Sequence, residues 1–152
     1  MTGMLHGTRV LDLTHEPGFF VGKLLGDLGA DVIKVEPPAG DPARRRPPFW
    51  GDVPDPERSL LWLAMNTSKR GITLDLDRPR GRDLLLDLAA GADVVLETDP
   101  PGAAAARGVG WDALQARNPL LVLCSLTPFG QSGPYAGWRG ADLTVSAMSG
   151  NL

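Results

Sequence analysis

Several features that would point to particular classes of protein are scarce in this sequence. Cys124 is the only cysteine among 152 residues, so no internal disulfide can form, and this favours a reducing compartment, the cytoplasm. No apolar run approaches the roughly 18 residues that a membrane span requires. The N-terminus also lacks the basic and then apolar pattern of a secretion signal, so we expect no association with a membrane.

A strong net charge is absent as well. The chain has 15 basic and 18 acidic residues and a formal net charge of -3, whereas nucleic-acid binders usually carry a basic surplus. We therefore expect no nucleic-acid partner. The hydrophobic content of 43% is enough for one core, so residues 1–152 are predicted to form one domain or a piece of one.

The clearest structural pattern is a β-α-β unit between Thr8 and Pro38. Residues 9–13 and 31–36 are apolar strands, and residues 19–28 carry apolar side chains at helical spacing. Glycines 18, 22 and 26 are four residues apart, so one face of the helix can sit close on the sheet, and Gly29 would end the helix. Such a crossover makes a parallel sheet, which binds ligands at the carboxyl ends of its strands.

A long loop follows this unit. Residues 37–57 contain half of the 14 prolines together with Arg44, Arg45 and Arg46, which excludes a helix interior or a central strand. A loop of this length is either functional or poorly ordered. The arginines could steer an anionic ligand or could simply be surface residues.

The remaining segments predict more strands and helices. Residues 59–65 could be a helix or a strand. Strands are expected at 71–76 and 93–97 and, fully buried, at 120–126; helices are expected at 79–90, 111–117 and 141–148. We predict a Rossmann-like α/β fold with a parallel sheet and helices on both faces. The predicted strand core consists of Val10, Leu11, Leu13, Val32, Ile33, Val35, Val94, Val95, Leu121 and Val122.

This architecture raises the possibility of a dinucleotide site, but the first turn argues against it. Glu36 ends the second strand, where an acid would bind a ribose. The glycine-rich turn is missing, however: Glu16 would repel a phosphate, and Pro17 has no N-H to donate. We therefore interpret Glu36 as a solvated strand end and do not expect NAD.

Five motifs in order carry a resemblance to a known family. They are the strand, helix and strand at 7–36, Gly-Asp-Pro at 40–42, the passage at 68–76, Asn-Pro at 118–119 and the segment at 129–135. With these motifs at these spacings, the chain resembles the N-terminal portion of family III CoA-transferases, the group that includes formyl-CoA and carnitine-type enzymes.

The resemblance implies a fold, a reaction and partners. The chain would be the front part of the large domain of an enzyme that moves CoA between carboxylic acids, with an aspartate carboxylate as nucleophile. In the family that aspartate follows the equivalent of residues 148–150, so we expect no catalytic residue here and an inactive chain on its own. The expected substrates are acyl-CoA and small carboxylic acids, without a metal. Family members are interlocked dimers, which implies a second copy or a companion chain.

Departures from the family pattern fall around the expected CoA site. Where relatives often have Glu-Asn-Phe-Arg-Pro-Gly, residues 97–102 read Glu-Thr-Asp-Pro-Pro-Gly, so Asp99 places a carboxylate near the path of the CoA phosphates. Pro37 and Ala106 replace basic residues, which suggests a weakened site. The candidate CoA-contacting residues are His15, Glu16, Pro17, Lys69, Arg70, Thr98 and Asp99.

Alternatives remain for several of these residues. Lys69 and Arg70 precede a predicted strand, where they could contact CoA or occupy a solvated turn. His15 could contact the ligand or satisfy backbone groups at a strand end. For the whole chain, the alternative to part of a CoA-transferase is a degenerate, inactive relative that acts as a binding or interaction module.

Overall fold

The computed structural model describes residues 3–150, so the first two and last two residues of the predicted domain 1–152 lie outside it. At its centre is a parallel sheet of five strands. The strands are β1 Arg9–Asp12, β2 Asp31–Glu36, β3 Lys69–Thr73, β4 Val94–Glu97 and β5 Val122–Ser125. Their order across the sheet is β3-β2-β1-β4-β5, which confirms the predicted Rossmann-like α/β fold.

Helices cover both faces of the sheet, as predicted. The α-helices are α1 Phe19–Asp27, α2 Leu60–Met65, α3 Pro79–Ala89, α4 Ala103–Ala106, α5 Trp111–Arg117 and α6 Asp142–Met148. Alternate strand residues point to opposite faces of the sheet. Val10 and Val32 belong to an apolar cluster on the α1 side, whereas Leu11 and Ile33 belong to a larger cluster with α3 and α5.

The glycine face of α1 lies directly on the sheet. A Cβ added at Gly22 would overlap Oδ2 of Asp12, and one at Gly26 would lie 2.8 Å from the carbonyl oxygen of Ser68. Gly29 follows the helix with φ of +102°, a conformation that favours glycine. The close helix-sheet contact predicted from the glycine spacing is therefore confirmed.

The loop 37–57 contains neither an α-helix nor a strand of the sheet. It forms two one-turn 3-10 helices at Pro42–Arg45 and Trp50–Asp52, and Phe49 makes an isolated bridge to Ser59. Ser59 then caps α2 by accepting a hydrogen bond from the backbone N of Trp62, so the segment at 59–65 is a helix.

Two strand predictions need correction. Strand β3 begins at Lys69, two residues earlier than expected, because Lys69 and Arg70 pair with Val32 and Ile33 of β2. The prediction that residues 120–126 are fully buried was wrong, since among residues 3–150 β5 pairs only with β4 and lies at the edge of the sheet.

The predicted strand core is confirmed for seven of its ten residues. Val122 is the clearest exception, with 57% of its surface exposed on the edge strand. Leu13 and Val94 are partly buried and pack against the two apolar clusters. Val122 is exposed because strand position, which the sequence pattern does not reveal, decides how many sides of a strand are covered.

Gly22→Ala is expected to lower the free energy of unfolding by about 2 kcal/mol or more, because the new methyl group has no room beside Asp12. Gly71→Ala is the matched control, since a Cβ there meets no atom within 4 Å. Urea denaturation of both variants measures the difference. Equal stability of the two variants would contradict the close packing of α1 on the sheet.

Candidate functional site

The carboxyl ends of β1 and β4 meet at the point where the strand order reverses direction, the usual ligand site of such sheets. Thr14 and His15 follow β1, and Thr98 and Asp99 follow β4. The backbone N of His15 donates to Oγ1 of Thr98 at 2.8 Å. The structure thus brings these sequence-predicted residues together at one edge of the sheet.

A cleft of about 340 Å³ opens at this edge. Its wall combines apolar side chains with charged ones, a mixture suited to a ligand that has both kinds of group. The apolar and small lining residues are Leu13, Val35, Pro37, Pro38, Ala39, Leu74 and Leu76; the titratable ones are His15, Glu36, Asp75, Asp77, Asp99 and Arg107.

Arg107 is the one arginine of the lining, and sequence analysis missed it. It ends α4 and forms an ion pair with Asp99, in which the two side chains are 33% and 22% exposed. A signal was available, because Arg107 directly follows Ala106, the position at which the resemblance implied a basic residue. It places a cation in this part of the cleft.

His15 is held by a buried carboxylate. Its Nδ1 lies 2.8 Å from Oδ2 of Asp41, a residue only 2% exposed. The hydrogen bond to Asp41 raises the pKa of His15, while burial and the charge of Lys34 oppose the rise. Burial alone would raise the pKa of Asp41, but hydrogen bonds from His15 and from the backbone N of Ala43 lower it. Backbone and side chain of His15 therefore both make structural contacts, and its ring also lines the cleft.

Glu36 is not the solvated strand end that the sequence suggested. It is 7% exposed, and both its carboxylate oxygens accept hydrogen bonds from Arg44, at 2.6 and 2.8 Å. Oε2 of Glu36 also accepts from the backbone N of Asp41 at 3.0 Å. Arg44 stacks 4.1 Å from the ring centre of Trp62. These contacts fasten the loop to the end of β2.

Arg45 and Arg46 also have interaction partners within the protein. Arg45 donates to the carbonyl oxygen of Ala39 at 2.7 Å, and Arg46 forms an ion pair with Glu16. Since each of these side chains has a partner in the loop or beside it, the cluster stabilises the wall of the cleft. The structure therefore does not support the interpretation that Arg44, Arg45 and Arg46 are free charges that steer an anionic ligand.

A buried ionic cluster under α1 contains Lys69. Nζ of Lys69 donates to Oδ2 of Asp12 at 2.8 Å and to the carbonyl oxygen of Phe19 at 2.9 Å. Lys34 donates to Oδ1 of Asp12 at 3.4 Å and to the carbonyl oxygen of Thr14. Burial lowers the pKa of both lysines, and the charge of Asp12 opposes the shift.

Lys69 and Arg70 therefore lie away from the cleft. The side chain of Lys69 is 1% exposed, so the alternative of a solvated turn was wrong for this residue. Arg70 pairs with Asp31 at the amino end of β2, at 2.6 Å. The signal that sequence analysis missed was the presence of Asp12 and Lys34 inside otherwise apolar strands.

Glu16, Pro17 and Thr98 line a second, larger cleft of about 640 Å³ beside the first. Its other walls come from the segment after β5 and from the start of α6, and they include Thr127, whose buried Oγ1 has no hydrogen-bond partner within residues 3–150. His15 and Asp99 line one cleft, while their chain neighbours line the other. The five predicted site residues at this edge are thus divided between two adjoining spaces.

Residues 3–150 contain no candidate metal centre and no candidate membrane span. No group of three or more His, Cys, Asp or Glu side chains in this part of the chain is arranged to hold a metal ion. None of the helices described is long and apolar enough to cross a membrane.

Comparison with known proteins identifies the family that this chain matches. Residues 5–152 match CoA-transferase family III. A relative in Thauera aromatica, succinyl-CoA:(R)-benzylsuccinate CoA-transferase subunit BbsE, is 44% identical over 95% of this chain and 35% of its own length. Human succinyl-CoA:glutarate CoA-transferase is 40% identical over 96% of this chain and 33% of its own length.

Solved structures agree with the sequence comparison. The crystal structure of a CAIB/BAIF family protein from Brucella suis has a TM-score of 0.89 and 43% sequence identity, covering 99% of this chain and 40% of that protein. The chain therefore spans between a third and two fifths of the length of these relatives.

Asp41→Asn is expected to lower the pKa of His15, because the hydrogen bond to Asp41 is the main cause of its rise. NMR titration of the His15 ring measures the change, with the exposed His6 as the internal control signal. An unchanged pKa in the variant would contradict the pairing.

The same pair sets a pH dependence of stability. Because the folded-state pKa of His15 is raised, protonation of His15 stabilises the folded chain. This stabilisation is fully present below the unfolded pKa of 6.5 and is lost as pH rises through the folded-state pKa. The difference in free energy of unfolding between the native chain and Asp41→Asn, measured by urea denaturation, should therefore shrink as pH rises through that range.

Proposed function

The chain belongs to CoA-transferase family III, and from this premise we propose that it forms the CoA-binding part of an enzyme that transfers CoA between carboxylic acids. The observation that carries the proposal is the cleft at the meeting point of β1 and β4, where Arg107 and His15 face a wall of apolar side chains and four carboxylates. The relatives named above are CoA-transferases. Because the chain spans only part of their length, the activity of the whole protein is inferred.

The lining of the cleft suits the parts of CoA. Leu74, Leu76 and the prolines offer apolar contact to the adenine ring and the pantetheine chain. Carboxylates of Asp75 and Asp77 can accept hydrogen bonds from ribose hydroxyls or the adenine amino group. Arg107 and protonated His15 supply the charge-assisted hydrogen bonds that phosphate oxygens favour.

The proposed contact residues include five of the seven expected from the sequence. His15 and Asp99 line the cleft itself, and Glu16, Pro17 and Thr98 border the adjoining cleft where an acyl group would extend. Lys69 and Arg70 are left out of the contact set, because Lys69 is enclosed under α1 and Arg70 lies at the opposite end of the sheet. Lys69 instead supports the site through Asp12.

In the proposed reaction this chain binds and orients CoA, while the nucleophile is an aspartate outside the 152 residues. That carboxylate attacks the thioester carbonyl, and the C-S bond breaks to give a mixed anhydride and the CoA thiolate. The thiolate then attacks the aspartyl carbonyl, which releases the donor acid and leaves an aspartyl-CoA thioester. A second carboxylate repeats the exchange in reverse.

The proposal includes a protein partner. Phe20 and Leu24 lie four residues apart on α1 and are 59% and 47% exposed, and Leu28 at the end of the helix is 36% exposed. This apolar stripe is suited to burial against a second copy or a companion chain. The Thauera relative is itself named a subunit. We place the assembly in the cytoplasm, because the chain has a single cysteine.

A second candidate is an inactive binding or interaction module. It is favoured by the acidic lining of the cleft, where Glu36, Asp75, Asp77 and Asp99 outnumber Arg107. The two candidates differ in a measurable property, since a module that has lost its ligand would not bind CoA.

Arg107→Ala is expected to weaken CoA binding by about 10-fold to 100-fold, the usual effect of removing a hydrogen-bond donor that is charged. Isothermal titration calorimetry of the 152-residue chain with CoA measures it. Arg117→Ala is the matched control, because Arg117 pairs with Asp87 and does not line the cleft. Absence of CoA binding by the native chain would favour the inactive module.

The chain alone is expected to show no transfer of CoA, because the proposed nucleophile lies elsewhere. The assay uses a panel of acyl-CoA donors with carboxylate acceptors, and light scattering on the same sample reports self-association. Transfer that survives purification and is abolished by a substitution within this chain would contradict the assignment of the nucleophile.

A further inference from the structure

We propose that Asp99 sets the affinity of the cleft, because its carboxylate competes with the phosphate groups of CoA for Arg107. The inference rests on the proposed function, in which CoA occupies the cleft, and it adds a residue that limits how tightly CoA is held. The evidence is the contact between the two side chains, the support beneath Asp99 and the charges around them.

Arg107 is paired with Asp99 within the protein. The guanidinium donates to Oδ2 of Asp99 through Nη2. Within residues 3–150 it makes no other side-chain hydrogen bond, although a guanidinium has five N-H donors. Both side chains are partly exposed and line the cleft, so the unused donors can reach an anionic ligand that arrives from solvent.

The backbone that carries Asp99 is fixed. Its backbone N donates to Oε2 of Glu97, which is 6% exposed and also accepts hydrogen bonds from Ser125 and Gln131. Pro100 follows, and a residue before proline is restricted to extended conformations. An incoming phosphate therefore meets Arg107 beside a carboxylate whose backbone is held next to it.

Two of the other carboxylates of the wall have different partners. Arg44 neutralises Glu36 through two hydrogen bonds, and Arg78 lies 3.6 Å from Asp75. Asp99 is the acidic group that directly neutralises Arg107. Removing its charge would leave Arg107 as an uncompensated cation, and a phosphate within a few ångströms would no longer be repelled by this carboxylate.

The test is Asp99→Asn, which keeps the size of the side chain and removes its charge. Calorimetry is expected to show CoA binding about 10-fold tighter than in the native chain. Binding of pantetheine, which has no phosphate, should be unchanged. Asp87→Asn is the matched control, because it removes the carboxylate partner of Arg117 outside the cleft.

A double-mutant cycle shows whether the effect passes through Arg107. In an Arg107→Ala background, Asp99→Asn should improve CoA binding much less than it does in the native chain. An equal improvement in both backgrounds would overturn the competition for Arg107. Circular dichroism verifies folding, and Asp99→Ala, with the same expected sign, replaces the asparagine variant if that variant does not fold.

The outcomes separate this inference from the proposed function. If the native chain binds CoA and Asp99→Asn binds it equally or more weakly, Asp99 is not a competitor and the inference is wrong, while the proposed function stands. If neither protein binds CoA, both are wrong.

Discussion

The site depends on one buried ionic cluster, in which Asp12 of β1 receives hydrogen bonds from Lys34 of β2 and Lys69 of β3. A charge with no exposed surface is tolerated only when it is paired, and removal of one partner of such a pair commonly costs about 3 to 5 kcal/mol. The cluster joins three neighbouring strands beneath α1. Lys34 also donates to the carbonyl oxygen of Thr14, so the same contacts position the chain that leads to His15.

A second set of contacts builds the wall of the cleft from a loop that contributes no strand to the sheet. Glu36 binds Arg44 and the backbone N of Asp41, and Asp41 in turn binds His15. The loop is therefore attached to β2 and to the end of β1 at neighbouring points. This explains how a segment rich in proline can form part of a ligand site: it is held to the sheet by ion pairs and hydrogen bonds with the strand ends rather than by pairing as a strand.

The departures from the family pattern have a physical meaning once the structure is considered. A carboxylate at position 99 suggested a weakened site, and the structure shows that Asp99 is paired with Arg107, the residue directly after Ala106. The cleft therefore holds a cation and a carboxylate in contact with each other. Binding strength in such a site depends on which ion pairs must be shared with the ligand, and a count of basic residues does not measure this.

The sequence by itself determined the order of the five strands and of helices α1, α3, α5 and α6, many of their bounds, the glycine face of α1 and the edge of the sheet at which to look for a site. It could do so because apolar periodicity, glycine spacing and helix-ending residues act between near neighbours in the chain. Only the tertiary structure decided that β5 lies at an edge, that Lys69 is buried with Asp12, and that Asp41 holds His15. These features join residues that are distant in sequence, so they depend on which strands become neighbours, and no local pattern encodes that choice.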